Sequence, residues 1–296
     1  MKYIAILLSF SAILLQSSCD VDRPIPSSEL PTFENKLVVN AVLDNTRPFE
    51  IGISTNVSAY TEDLPTFYED ATVILRSDQS NIPLTYDNSS KTYKSTTIPA
   101  PGNSYRIEVI DNTGLRKTVN ARGFVPAKAL NKKIGYIENG GVDMDGRSSD
   151  LLSIEWTDIS LKNYYILHFY YYSPTAQSFV PFEFELTDPT LSAPETLRLD
   201  DGGYLFNDDL FNGTTKKIQV VPPGGLVAGN PDELYLIELR TVTSDYYKYY
   251  KTLQQYRDQD DLQQAGPFGS AVIVHSNVTN GLGAFLTSTL ESDTIR

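Results

Sequence analysis

Alternation of apolar and polar residues at a period of two runs through most of this chain. It leaves little room for anything but β-structure. Leu37, Val39, Ala41 and Leu43 fall on one side of an extended segment. Phe49, Ile51 and Ile53 alternate with Glu50, Gly52 and Ser54, and Tyr105, Ile107 and Val109 with Arg106 and Glu108. Successive side chains of a strand point to opposite faces, so the pattern buries one face and wets the other. Val73 and Leu75 add a further short strand. Asp87-Asn88-Ser89-Ser90, Pro101-Gly102-Asn103 and Asp111-Asn112-Thr113-Gly114 supply turn chemistry between strands. Residues 36–123 are therefore expected to form an N-terminal β-sandwich of immunoglobulin-like or transthyretin-like type.

The remainder, 124–296, reads as a second β-rich domain. A length of 296 residues suits about two domains. Strands are expected over Leu151 to Trp156, Tyr164 to Tyr172, Phe182 to Leu186, Lys217 to Val221, Leu234 to Val242, Ala271 to His275 and Ala284 to Leu290. One amphipathic helix is expected near 244–257, capped by Thr243 or Ser244. Tyr246, Tyr249 or Tyr250, Leu253 and Tyr256 recur on one of its faces.

The N-terminus bears on location. Lys2 precedes an apolar run from Ile4 to Leu15, then Gln16-Ser17-Ser18-Cys19. The run is too short to span a bilayer and fits the core of a signal peptide, 1–18. Small residues directly before the only Cys of the chain resemble a lipobox, with Cys19 as the acylated residue. Gln16 departs from the usual Leu, and an ordinary secreted protein is the competing reading. Several acyl chains on Cys19 would hold the protein on a membrane. Asp20-Val21-Asp22 matches a surface-export signal weakly or is simply a solvated tether. Residues 19–35, with Pro24, Pro26 and Pro31, read as a Pro/Ser-rich spacer. The expected location is the outer membrane, lipid-anchored, with the body exposed at the cell surface.

Composition narrows the function. Lys and Arg number 24 against 37 Asp and Glu, a net charge of −13, and no basic block stands out. That argues against nucleic acid as a partner. One Cys forms no intramolecular disulfide, and two His leave little room for a histidine-rich metal site.

Taken in order, these features resemble a known family. A lipobox and Pro-rich spacer lead into Leu37-Val38-Val39-Asn40-Ala41. A strand, Leu234-Tyr235-Leu236-Ile237-Glu238-Leu239-Arg240, runs directly into a Tyr-rich helix, and Asn280-Gly281-Leu282-Gly283-Ala284-Phe285 stands near the end. The chain resembles the Bacteroidetes lipoprotein family termed domain of unknown function 4249. The resemblance implies an outer-membrane lipoprotein that assists a TonB-dependent receptor barrel in uptake. It carries no catalytic residues over. Gly281 and Gly283 are expected to admit a close backbone approach before the last strand.

Few residues suggest chemistry. His168 shares a strand face with Tyr164, Ile166, Tyr170 and Tyr172, and His275 ends another strand. Neither stands beside a nucleophile elbow, so both read as structural and no catalytic residue is assigned. Asp143-Met144-Asp145-Gly146, with Asp150, resembles part of a calcium loop, although the spacing is not that of an EF-hand and a solvated acidic loop explains it as well. No other metal or cofactor is expected. Asp200-Asp201-Gly202-Gly203 and Asn207-Asp208-Asp209 are similar acidic stretches.

The 19 tyrosines are the most unusual feature of composition. They concentrate on the Tyr164 to Tyr172 strand and on the helix. Many serve packing, but Tyr170, Tyr172, Tyr246 and Tyr250 form a candidate contact surface, since tyrosine pairs a broad apolar face with a hydroxyl. The expected function is a non-catalytic accessory or binding protein at the envelope. The alternative is a structural or adhesive envelope protein.

Overall fold

The computed structural model describes residues 33–58, 63–78, 80–112, 118–184, 186, 188–191, 195–223, 234–263 and 272–295. Cys19, the apolar run before it and Pro24 to Pro31 lie outside these residues. Lys36–Arg296 forms one compact unit. Its first part holds β1 (Leu37–Leu43), β2 (Glu50–Thr55), β3 (Thr72–Ser77) and β4 (Asn81–Ile82). β5 (Thr85–Asp87), β6 (Thr92–Lys94), β7 (Ser104–Ile110) and β8 (Thr118–Phe124) complete that part. β9 (Leu130–Val142), β10 (Ser148–Thr157), β11 (Tyr164–Ser173) and β12 (Ser178–Pro181) follow. Then come β13 (Leu197–Arg198), β14 (Tyr204–Asn207), β15 (Thr215–Val220) and β16 (Tyr235–Val242). Helix α1 (Ser244–Gln263), β17 (Val278–Thr279) and β18 (Leu282–Ile295) close the chain.

The architecture is mostly β, as the alternation predicts. A ten-stranded sheet runs β13-β14-β11-β16-β18-β1-β2-β6-β5, with β12 added beside β11. Two smaller sheets, β17-β8-β7-β3-β4 and β15-β10-β9, pair with it in sandwich-like layers. The first layer pair buries Leu37, Val39, Phe49, Ile51, Leu75 and Ile107. The second buries Leu152, Trp156, Tyr165, Phe169, Phe206 and Tyr235. A third cluster lies on the opposite face of β11 and β16, where Ile166, Leu205 and Val242 meet Tyr246 and Tyr247 of α1. The long sheet is thus covered on both faces along this stretch, and α1 forms the outer layer.

β18 ties the two parts together. It pairs in parallel with β1 and antiparallel with β16, and Phe285 belongs to the first core. Gly283 makes the approach possible: its φ is +104°, and a Cβ there would lie 2.2 Å from the Val39 carbonyl oxygen. Phe124 to Pro126, where the sequence changes character between the two parts, is fastened to β18 by side chains. Thr287 Oγ1 donates to the Phe124 carbonyl at 2.7 Å, and Thr289 Oγ1 donates to that of Pro126. These hydroxyls are buried in the middle of a strand, where an unpaired one would be costly.

Several elements differ from the sequence reading. The strand expected over Phe182 to Leu186 stops at Pro181, which has no N–H to continue the ladder. Phe182 and Phe184 instead pack against Phe169 with ring centroids 6.1 and 4.9 Å away. No strand forms over 272–277 either. There side chains replace strand partners: Asn277 exchanges two 2.8 Å hydrogen bonds with the Phe285 backbone, and the His275 amide donates to Thr252 Oγ1. β9, 13 residues long, is missing from the sequence reading because its glycines and lysines blur the alternation. α1 runs to Gln263 and does not stop near Arg257, since no Gly or Pro interrupts it. Tyr256, expected on the packed face, is 44% exposed. No helix among the described residues is long and apolar enough to cross a membrane.

Candidate functional site

A concavity lies where α1 crosses the ten-stranded sheet. Thr243 caps the helix: its hydroxyl accepts the Tyr246 N–H at 3.4 Å. The first turn then docks firmly. Tyr247 packs its ring against Tyr164 in a tilted arrangement at 4.8 Å, and its hydroxyl donates to Glu195 Oε2 at 2.8 Å. Lys251 reaches the same carboxylate. The Tyr247 hydroxyl, with Lys251 beside it, holds the Glu195 carboxyl below the usual range. Further along, the helix stands away from the sheet and leaves a cleft of about 700 Å³.

Three elements build its walls. The sheet floor presents His168 and Tyr170 from β11 and Glu238 and Arg240 from β16. These share a face because His168 lies directly opposite Glu238 in the antiparallel register. The helix contributes Tyr246, Tyr249, Tyr250 and Arg257, and the β13–β14 hairpin contributes Asp200 and Asp201.

The hairpin fits over His168 because residue 203 is glycine. A Cβ on Gly203 would stand 2.2 Å from His168 Nε2. Asp201 Oδ1 lies 2.9 Å from the same nitrogen. The contact is close but not aligned as a hydrogen bond. His168 still holds the Asp201 carboxyl below its ordinary range, against the opposing effect of burial. Asp200 pairs with Arg257, which fastens the hairpin to the helix.

The floor is also internally paired. Tyr170 donates its hydroxyl to Glu238 Oε2 at 3.2 Å and stacks on His168 at 5.8 Å. Burial, then the Glu238 charge, push the Tyr170 phenol well above its usual value. Tyr246 is shifted upward too, chiefly by burial, and stacks on Tyr250 at 4.9 Å. Arg240 Nη1 sits 3.2 Å from Asp44 and 3.0 Å from Ser288 Oγ. Burial alone would raise the Asp44 carboxyl, but bonds from Thr46 and the Arg240 charge outweigh it and the net shift is downward.

The tyrosines singled out by sequence divide. Tyr170, Tyr246 and Tyr250 come together in the cleft. Tyr172 lies further along β11, where it meets Phe179 of β12 edge-on at 5.6 Å. The acidic loop is a hairpin turn between β9 and β10. Asp143 accepts the Asp145 and Arg147 amides at 3.0 and 2.7 Å, and Asp145 pairs with Arg147. Asp150 is buried elsewhere and accepts the Tyr136 and Tyr235 hydroxyls and the Asn139 amide. The turn therefore directs the weak calcium candidates to separate tasks. Among the described residues no three acids, histidines or cysteines form a metal-sized group.

The sequence reading overlooked Glu238, Arg240, Arg257 and Asp44. A signal for the first two existed: they are the polar positions alternating with Ile237 and Leu239 on β16. A family model described as Domain of unknown function (DUF4249) matches residues 22–294. The chain belongs to this family. The match spans every element of the cleft in this DUF4249 chain. No curated protein matches it by sequence.

Proposed function

We propose that this DUF4249 protein is a lipid-anchored outer-membrane lipoprotein of Bacteroidetes type that binds a partner or ligand without transforming it. In this reading it assists a TonB-dependent receptor in uptake. The observation that carries the binding role is the cleft under α1. Its tyrosine faces offer apolar contact, while each arginine on its walls already has a carboxylate partner. Such a site favours an uncharged polar group with an apolar face, for example a loop of a partner protein. His168 and Asp201 meet there with no Ser, Thr or Cys among the described lining residues, which favours binding over acyl transfer. The short apolar leader before Cys19 supports the anchor.

Affinity purification from detergent-solubilised membranes is expected to recover a receptor barrel with the protein. Tyr170→Ala combined with Tyr250→Ala is expected to lose the barrel while the protein stays folded and membrane-bound. Recovery of the lipoprotein alone from wild-type cells would sink the accessory role. Cys19→Ala is expected to release the protein from membranes, and continued membrane association would refute the anchor.

A further inference from the structure

The second feature lies away from the cleft, on the outer face of the β17-β8-β7-β3-β4 sheet. Arg76 of β3 is directly opposite Arg106 of β7, and Arg106 is directly opposite Arg122 of β8. All three side chains are exposed, on the face turned away from buried Leu75, Ile107 and Ala121. Directly opposed residues in an antiparallel pair hold their Cβ atoms about 4.5–5.5 Å apart, and like charges so placed repel. Three guanidiniums thus form a row across three adjacent strands.

The row is unusual in this chain. The chain has 37 acidic residues against 24 basic ones, and among the described residues Arg47, Arg147, Arg198, Arg240 and Arg257 each find a carboxylate. These three do not. No ion pair or hydrogen bond within the described residues engages any of the three guanidiniums. Glu108, two positions along β7 on the same face, does not engage them. They line a depression of about 190 Å³ together with Ser104 and Asp78. Asp78, at the β3–β4 turn, is the one carboxylate at its rim. A cationic row left unneutralised costs stability, and an oxyanion would remove that cost. Guanidinium donors match phosphate oxygens in fork geometry, often two bonds at a time.

We propose that Arg76, Arg106 and Arg122 form a binding site for a phosphate group, carried either by a lipid head group or by a soluble molecule. Arg106 is the centre of the site. Removing it takes the middle guanidinium out of the row and leaves Arg76 and Arg122 on strands two spacings apart, roughly 9–10 Å between backbones. Ser104 adds a hydroxyl at the edge, and Asp78 sets a limit on how much anionic charge the site accepts.

The test uses the full chain carrying Cys19→Ala, so that no acyl chain fixes it to lipid. In one arm sodium pyrophosphate is titrated calorimetrically at low ionic strength. In the other, the protein is floated with vesicles of phosphatidylglycerol or of phosphatidylcholine. Binding in at least one arm is expected. It should weaken at least tenfold in Arg106→Gln and in the Arg76→Gln, Arg106→Gln, Arg122→Gln triple variant, and fall as salt rises. Pyrophosphate binding without vesicle binding assigns a soluble source. Flotation with phosphatidylglycerol alone assigns a head group. A separate readout guards against misfolding: pyrophosphate should raise the unfolding temperature of the parent protein and not that of Arg106→Gln. Without the anion, Arg106→Gln should unfold at the same temperature or higher. Equal binding by parent and variants, or binding in neither arm, overturns the site.

Discussion

Single atoms decide whether the cleft exists. Gly203 has room only for a hydrogen where the His168 ring stands. Gly203→Ala is therefore expected to displace the imidazole or the hairpin and cost about 1–3 kcal/mol, measured by urea unfolding. A buried carboxylate makes the second residue-scale prediction. Asp208 is fully buried, and its Oδ2 accepts the Asn163 amide at 2.7 Å while Oδ1 has no hydrogen-bond partner. Burial, reinforced by the nearby Asp158 charge, raises its carboxyl above the ordinary value. The folded state thus holds this proton more tightly than the unfolded chain does. Its contribution is most favourable at low pH and is lost as pH rises through the folded-state value. Asp208→Asn keeps the acceptor for Asn163 and is expected to stabilise the protein at pH 7. The gain should disappear below about pH 4, the unfolded range for Asp. Asp44 and Asp201 behave oppositely, since their carboxyls are held low. They support the fold above about pH 4 and lose that role as acid protonates them. Thermal melts across pH for parent and Asp208→Asn separate the two classes.

At the scale of elements, the pairing of β1 with β18 matters most. Its register runs from Val38 opposite Leu282 to Leu43 opposite Thr287. Gly283 carries both a positive φ and a backbone approach that excludes a Cβ. Gly283→Ala is expected to destabilise by about 2 kcal/mol or more, seen as a lowered urea midpoint. Most of the elements themselves were legible in the sequence. β1, β2 and β7 follow alternation closely because each has one clean core face, whereas β11 is legible as a run of apolar and aromatic residues buried on both faces. β9 was not legible, since an edge strand with three glycines shows no such contrast. The acidic stretch after Arg257 reads as a loop by composition, yet the helix continues through it because no Gly or Pro intervenes.

At the scale of the molecule, the first core is not complete without the end of the chain. Val278 and Phe285 belong to the cluster formed by β1, β2, β7 and β8. Residues 36–123 produced alone are expected to lack a cooperative thermal transition, and adding the rest of the chain should restore one. A sharp independent melt of 36–123 would contradict this coupling.

Sequence alone determined that the fold is mostly β, that one helix follows the Leu234 to Val242 strand, and that tyrosines concentrate on that helix and on the Tyr164 to Tyr172 strand. Those properties are local: period, turn residues and composition act over a few positions. Only the tertiary structure decided that Tyr170, Tyr246 and Tyr250 face one cleft while Tyr172 does not. It alone set Arg240 on Asp44, 196 positions away. It also aligned Arg76, Arg106 and Arg122, which the sequence scatters among unrelated strands. Register between distant strands creates these neighbours, and register is fixed by burial summed over the whole sheet.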